Sequence, residues 1–436
     1  MSGKLKPYPQ YKESDVEWLG EVPEHWVLDR IKSHFQIEKR ISGSLDYDVL
    51  SITQKGIVVK DIDSGEGQLS MDYSKYQLIF KGEFGMNHMD LLTGYIDISK
   101  YNGVVSPDYR VFSIKNQIFN TNFYLYVFQT CYINKIFYKY GQGSSQLGRW
   151  RLPSEEFYGF RIPTPSPDEQ TNIANYLDQQ TAKIDKLVEN YQKLITLSKE
   201  KRTALITHCV TKGLDPTVKM KDSGVKWLGK VPEGWSNVSL KHCFLINPRK
   251  SEIASHTNFD CSFIPMEKLK TDAIKLDLVK PIKEVYEGYN YFRDGDILMA
   301  KVTPCFENSN IAIANDLYNG IGFGSSEIYT LRPLTGVSTR YLFYRLQEST
   351  FMIMSTSEMT GAGGLKRVPQ EYIANYIVSL PSPNEQTAIA KYLDQQTAKI
   401  DQTIEKAQQA IDLLKEKRTA LITAVVTGKV DVRECV

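Results

Sequence analysis

The sequence predicts an α+β protein: two mixed α/β domains joined by two long antiparallel coiled-coil helices, with pseudo-two-fold symmetry. Three observations carry that prediction. At 436 residues the chain is too long for one core. Its landmarks occur twice in the same order. Each copy closes on a helix-forming segment much longer than any other.

The opening landmark, Ser14-Asp-Val-Glu-Trp-Leu-Gly-Glu-Val-Pro-Glu-His-Trp26, returns as Ser223-Gly-Val-Lys-Trp-Leu-Gly-Lys-Val-Pro-Glu-Gly-Trp235, displaced by 209 residues. The closing landmark is longer. Pro165-Ser-Pro-Asp-Glu-Gln-Thr171 returns as Pro381-Ser-Pro-Asn-Glu-Gln-Thr387. Tyr176 to Asp185 returns unchanged at Tyr392 to Asp401, and Lys199 to Thr207 at Lys415 to Thr423, all displaced by 216 residues. Between these anchors the match is faint. Tyr76 to Met86 resembles Tyr289 to Met299, and Gly148, Arg151, Pro153 and Glu155 align with Gly364, Arg367, Pro369 and Glu371. The ends of each half agree and the middles differ, which suggests one frame carrying two binding surfaces. The blocks are a first domain at 1–165, a long helix at 166–212, a second domain at 213–380 and a second long helix at 381–436.

Both helices have a clear start. Ser166-Pro-Asp-Glu169 and Ser382-Pro-Asn-Glu385 fit a capping box, with Ser accepting from the N3 amide, Pro at N1 and Glu reaching back to the cap. The helices are expected to run to about Thr207 and Thr423, ahead of Gly213 and Gly428. Apolar residues form a heptad-like seam through Ile173, Leu177, Ile184, Leu187, Tyr191, Leu194 and Leu205. In the second copy it runs through Ile389, Leu393, Ile400, Ala407, Leu414 and Leu421, widened by Ile404 and Ile411. Gln180, Gln396, Lys201 and Lys417 interrupt the two seams. Antiparallel pairing would set Leu177, Ile184, Leu187, Tyr191 and Leu194 against Leu393, Ile400, Ala407 and Leu414, with Tyr191 near Ala407. Ahead of the helices, Ile57 to Val59, Tyr76 to Phe80, Val104 to Ile114, Ile297 to Ala300 and Ile328 to Leu331 read as strands. Tyr124 to Phe128 and Tyr341 to Leu346 read as short helices, and Lys212 to Asp222 as a polar linker.

Composition narrows the function. Fifty-three basic and 51 acidic residues give a net charge of +2, so any nucleic-acid affinity must come from local clusters of Lys and Arg. The N-terminal stretch lacks the apolar core of a signal peptide, and no apolar run reaches membrane-spanning length, so a cytoplasmic protein without membrane contact is expected. Six scattered cysteines without C-x-x-C spacing read as reduced thiols, and the six histidines form no metal pattern with them. A G-x-x-x-x-G-K-[ST] phosphate loop, G-x-S-x-G and H-E-x-x-H are all absent, as is an Asn/Asp-Pro-Pro-aromatic signature. Gly361-Ala-Gly-Gly364 reads as a loop and Pro107-Asp108 as a turn. These absences favour binding over catalysis.

Two variable halves, each opening on Trp-Leu-Gly-x-Val-Pro-x-x-Trp and closing on Pro-x-Pro-x-Glu-Gln plus a long helix, resemble the specificity subunits of type I restriction–modification systems. The resemblance covers essentially the whole chain. It implies that each half is a target recognition domain for one half of an asymmetric, bipartite site in double-stranded DNA, and that the helices are an antiparallel spacer. It implies methyltransferase subunits, two of them, and restriction subunits as partners. S-adenosylmethionine, ATP and Mg would then belong to those partners, with no cofactor and no catalytic centre on this chain. A fused methyltransferase or nuclease, and a coiled-coil DNA-binding scaffold without sequence preference, stand as alternatives.

Base reading uses donor and amide side chains presented beside a basic surface. In the first half the candidates are Asn87, His88, Gln142, Ser144, Ser145, Gln146, Arg149 and Arg151, with Lys39 and Arg40 as phosphate contacts. In the second half they are Lys301, Thr303, Lys366 and Arg367, with Arg249 and Lys250 matching the Lys39–Arg40 region. The Lys-Glu-Lys-Arg runs at 199–202 and 415–418 suit DNA, a partner or plain solvent.

Overall fold

A computed structural model describes residues 6–62, 70, 72–143, 150–256 and 258–435. The chain forms two compact units, residues 1–191 with 409–436 and residues 192–408. The cuts fall inside the long helices, Pro167–Lys212 and Pro383–Val426, so each unit holds the first half of one helix and the second half of the other. Of 46 and 44 residues, the helices are near equal and each about 65–70 Å long at about 1.5 Å per residue. Gly213 and Gly428 end them with positive φ of 79° and 72°. A Cβ on Gly428 would lie 2.3 Å from Pro23 Cδ, so this turn takes no larger residue.

The first unit contains a four-stranded sheet in the order Phe35–Glu38, Arg110–Ile114, Phe84–Met86, Ile96–Ile98. The second repeats that order with Phe244–Ile246, Ile328–Pro333, Ile297–Ala300 and Ile311–Ile313. In both, all neighbours are antiparallel. A two-stranded ribbon before each long helix also recurs, Val27–Arg30 with Arg161–Thr164 and Ser236–Ser239 with Ile377–Leu380. The remainder differs. The second unit adds a mixed four-stranded sheet built on Asp260–Ile264 and Ile321–Gly324. In its place the first has the hairpin Leu50–Thr53/Gly56–Val59 and the pair Gln77–Ile79/Gly103–Val105, while the opening motif pairs alike in both, Tyr11–Glu13 with Glu21–Pro23 and Met220–Asp222 with Lys230–Pro232. The expected strand at 104–114 is two strands, parted by the turn at Ser106 to Tyr109 that contains Pro107-Asp108.

The repeated sequence marks the residues that assemble each unit. Ser166 and Ser382 Oγ accept from the amides of Glu169 and Glu385 at 3.3 and 3.4 Å, which is half of the expected capping box. The other half is not made. Glu169 Oε1 instead accepts from Trp26 Nε1 at 3.0 Å and Tyr8 Oη at 2.8 Å, and its Oε2 lies 2.9 Å from His25 Nε2. Glu385 accepts from Trp235 Nε1 at 3.1 Å. A buried indole N–H without a partner is costly, whereas the cap residue's own amide can be met by water. The same carboxylate therefore ties the tryptophan of the opening motif to the helix start.

The next residue ties in a third element. Gln170 donates to Pro165 O at 2.9 Å and accepts from the amide of Asn120, the N-cap of helix Thr121–Ile133. Gln386 makes the same pair of bonds to Pro381 and Ser338, the N-cap of helix Thr339–Arg345. Two turns on, Tyr126 Oη meets Asp178 at 2.7 Å and Thr181 at 3.2 Å, and Tyr344 Oη meets Asp394 at 2.8 Å and Thr397 at 3.1 Å.

Burial along the helices corrects the seam. Leu187 and Leu194 are 46% and 40% exposed, and Val188 and Ile195 take their places on the inner face. The inward positions run Leu177, Thr181, Ile184, Val188, Tyr191, Ile195, Ser198, Arg202 and Leu205, alternating steps of four and three. The second helix carries the same spacing through Leu393, Thr397, Ile400, Ile404, Ala407, Ile411, Leu414, Arg418 and Leu421. Leucine alone misleads here, because Leu187 and Leu194 fit a step of seven while lying one position off the face. Thr181, Ser198 and Arg202, not Gln180 and Lys201, are the polar members of the first seam.

In the first unit Ile173 and Leu177 share a core with Ile422, Val425 and Val426, and Arg418 Nε donates to Asp185 at 3.1 Å. In the second, Ile206, Cys209 and Val210 share a core with Ile389 and Leu393, and Arg202 Nε donates to Asp401 at 3.1 Å. Within each unit the half-helices therefore run antiparallel. The arginine of each Lys-Glu-Lys-Arg run crosses to the opposing helix, while Lys199, Lys201, Lys415 and Lys417 stay exposed. Such part-exposed pairs are worth about 0–1 kcal/mol, so they fix register more than stability.

Glu169→Ala strips the partner from a fully buried indole and from Tyr8. It is expected to destabilise the first unit by about 1–3 kcal/mol in denaturant titrations. Glu385→Ala should cost the second unit less, because Trp235 is its one aromatic donor among the described residues. Equal losses would show that the carboxylate is not the tie described.

Candidate nucleic-acid interface

In the first unit, strand Phe84–Met86 runs out into Asn87 and His88. The amide of Leu152 donates to His88 O at 2.9 Å, which docks Leu152 on the strand end. Gln142 and Arg151 form an antiparallel bridge, with reciprocal backbone bonds of 2.8 and 3.1 Å. Gln142 and Arg151 are exposed. Tyr132 Oη donates to Asn87 O and fixes the strand end from the other side. The expected contacts Ser144, Ser145, Gln146 and Arg149 lie outside the described residues.

The second unit is built alike from different residues. Strand Ile297–Ala300 runs out into Lys301, and the amide of Val368 donates to Lys301 O at 2.9 Å. A hairpin here, Thr360–Ala362/Leu365–Arg367, is turned by Gly363 and Gly364 at positive φ. Thr303 locks it in place, with Oγ1 donating to Gly364 O at 2.9 Å and accepting from the amide of Lys366 at 3.0 Å. Lys301, Thr303, Lys366 and Arg367 thus come together, as His88, Gln142 and Arg151 do.

The remaining candidates divide. Lys39 and Arg249 are exposed. Arg40 pairs with Glu83 at 2.5 and 2.6 Å and lies 4.7 Å over the Phe80 ring, so its charge is met within its own unit while 32% of the side chain stays exposed. Lys250 donates to Tyr286 O at 2.6 Å and is likewise engaged within its own unit. Arg367 makes a two-point pair with Glu327, both bonds 2.8 Å, yet keeps 42% of its side chain exposed. Arg367 holds the Glu327 carboxyl below its usual range.

Sequence reasoning missed two residues. Arg110, 4% exposed, donates from Nη2 to Leu152 O at 2.9 Å and stacks 4.7 Å over Phe157. Tyr329 Oη donates to Val368 O at 2.8 Å. Their strand positions match, since Arg110 pairs with Met86 and Tyr329 with Met299. An isolated strand arginine with no motif around it gives no sequence signal, and its counterpart is a tyrosine.

Fold and site together define a duplicated protein whose two units present unlike polar side chains at the same point of one frame. The family model of the type I restriction modification DNA specificity domain matches residues 39–197 and 232–412, and the chain belongs to that family. The specificity subunit of the type I restriction enzyme EcoEI of Escherichia coli is 34% identical over 186 residues, 42% of this chain and 31% of that protein. That of EcoAI, also from Escherichia coli, is 36% identical over the same shares. The matched region thus spans about a third of these relatives' length. A chain from a solved type I R-M system aligns with a TM-score of 0.68 at 14% identity, covering 93% of this chain and 98% of that one. The HsdS subunit of Thermoanaerobacter tengcongensis aligns at 0.50 and 15% identity, covering 94% and 98%. At these identities the likeness is one of fold. No helix among the described residues is long and apolar enough to cross a membrane.

His88 yields a pH prediction. Burial, then the charges of Arg110 and Arg151, push its imidazole down to about 3. Between that value and the ordinary histidine value near 6.5 the unfolded chain holds the extra proton, so stability rises with pH there and is lost as pH falls. Melting temperature followed from pH 7 to 4 should drop less for His88→Gln than for the parent chain. Parallel curves would contradict the assignment.

Proposed function

We propose that the chain is the DNA sequence-specificity subunit of a type I restriction–modification complex. The observation that carries the reading is the repeated backbone bond to the strand end, Leu152 N to His88 O and Val368 N to Lys301 O. It gives each unit one presentation point and fills the two points differently. One frame with two unlike donor sets suits a bipartite, asymmetric site, with a half-site for each unit. Exposed Arg151 and Lys366, with Lys39 and Arg249, supply local positive charge in a chain of net charge +2.

The chain acts by binding alone. Methyl transfer and ATP-driven cleavage fall to methyltransferase and restriction subunits in the cytoplasm, which hold S-adenosylmethionine, ATP and Mg. Two methyltransferase copies suit the duplication. Gln179 and Lys183 on one helix and Gln395 and Lys399 on the other are identical and exposed, so packing does not account for their repetition. The spacing of the half-sites is then set by the helices, as rigid dimers set theirs.

Methylome sequencing of a host expressing the chain with its methyltransferase tests this. The expected result is one methylated motif of two unlike halves around an unspecified spacer. A palindromic or continuous motif, or none dependent on this chain, overturns the reading. In binding titrations at several salt concentrations, Arg151→Ala and Lys366→Ala should each weaken binding and reduce the slope of log K against log salt by about 1.

A further inference from the structure

We infer that Arg110 and Tyr329 are equivalent positioning residues for base reading, each clamping Leu152 or Val368 to the strand end so that His88 with Arg151, and Lys301 with Arg367, stand as fixed two-point donor sets. The inference rests on the DNA-reading function proposed above and names what sets its specificity.

Residues 152 and 368 are each held from two sides. The amide of Leu152 donates to His88 O at 2.9 Å while its carbonyl accepts from Arg110 Nη2 at 2.9 Å. The amide of Val368 donates to Lys301 O at 2.9 Å while its carbonyl accepts from Tyr329 Oη at 2.8 Å. The residue just before each held peptide is an arginine, Arg151 or Arg367. Its Cα is therefore held at the strand end by one backbone bond and by one bond from a buried side chain. A reading group left a fraction of an ångström loose loses the directional part of its hydrogen bond.

The two clamps also impose different electrostatics. Arg110 Nη1 and His88 Nδ1 are buried, and neither has a partner among the described residues. Burial and the neighbouring Arg110 and Arg151 charges hold His88 neutral. His88 then offers one uncharged donor. Tyr329 instead presents its ring face, with Lys301 Nζ 5.2 Å from the centroid, a placement that welcomes a cation. Both sets donate, Arg367 through the guanidinium edge that its two bonds to Glu327 leave open, which matches the acceptor edges of purines in the major groove, but only the second carries its strand-end donor as a charge.

The test is enrichment from a duplex DNA library randomised over the site. It uses the full chain purified from its host with whatever subunits accompany it. The parent chain should enrich two unlike half-sites. Tyr329→Phe removes one hydroxyl and is expected to lower discrimination about tenfold at one or two positions of a single half-site, leaving the other unchanged. Arg110→Gln should do the same to the opposite half-site. A clamp that served only folding would lower total binding and leave the preferences intact. Folded variants with unchanged preferences at both half-sites, or equal losses at both, overturn the inference while the DNA-reading function stands. If Arg110→Gln does not fold, Tyr329→Phe decides alone. A parent chain that enriches no sequence overturns the DNA-reading function and this inference with it.

Discussion

The first four turns of each long helix organise the elements placed around them. A carboxylate at the third position, Glu169 or Glu385, holds the tryptophan of the opening motif. The glutamine beside it holds the N-cap of a second helix, and an aspartate and threonine further on hold that helix's tyrosine. These are side-chain bonds between elements far apart in sequence, all at least partly buried. Each would leave a polar group stranded if one partner changed, which is why the sequence around them repeats almost letter for letter. The sheets and hairpins beyond this anchor face no such demand and have diverged.

Much of this was legible from the repeat. The two long helices, their starts and the unlike middles follow from the sequence, because identity at one displacement over 40 residues is not a local propensity signal and needs no tertiary knowledge. The role of Glu169 was not legible. A capping box and a carboxylate reaching for a distant indole share the same local sequence, and only the fold decides between them. Leu187 and Leu194 misled for a related reason: a seam is defined by angle, and the apolar residues flanking it include ones that face water. Arg110 and Tyr329 lay beyond reach altogether. Their equivalence lives in backbone pairing and in the carbonyl each side chain finds, with nothing shared in side-chain chemistry.

Charge was the least informative signal at the candidate interface. Arg40 and Lys250 sit where phosphate contacts were expected, yet both are occupied inside their own unit. In the second unit Arg332 plays the part of Arg40, pairing with Asp296 at 2.8 Å in the turn that matches Glu83, but it comes from a different strand. The frame asks for a cation over that turn and accepts it from wherever the chain can supply one. A basic residue near a reading surface is thus as readily part of the scaffold as part of the contact. Backbone registry gives His88 and Lys301 equivalent places in their own units whatever their charge.

The division of the chain carries a consequence for how it is made. The second unit is one uninterrupted run, residues 192–408, whereas the first needs both ends of the chain. Ile422, Val425, Val426 and Val432 belong to the same core as Trp26 and Leu177. On a ribosome adding about 5–20 residues per second, the earlier unit therefore waits roughly ten seconds or more with that face uncovered while the later one is synthesised. The part of the protein that emerges first is the part that finishes last, and during that interval its exposed apolar face is where chaperones would find it.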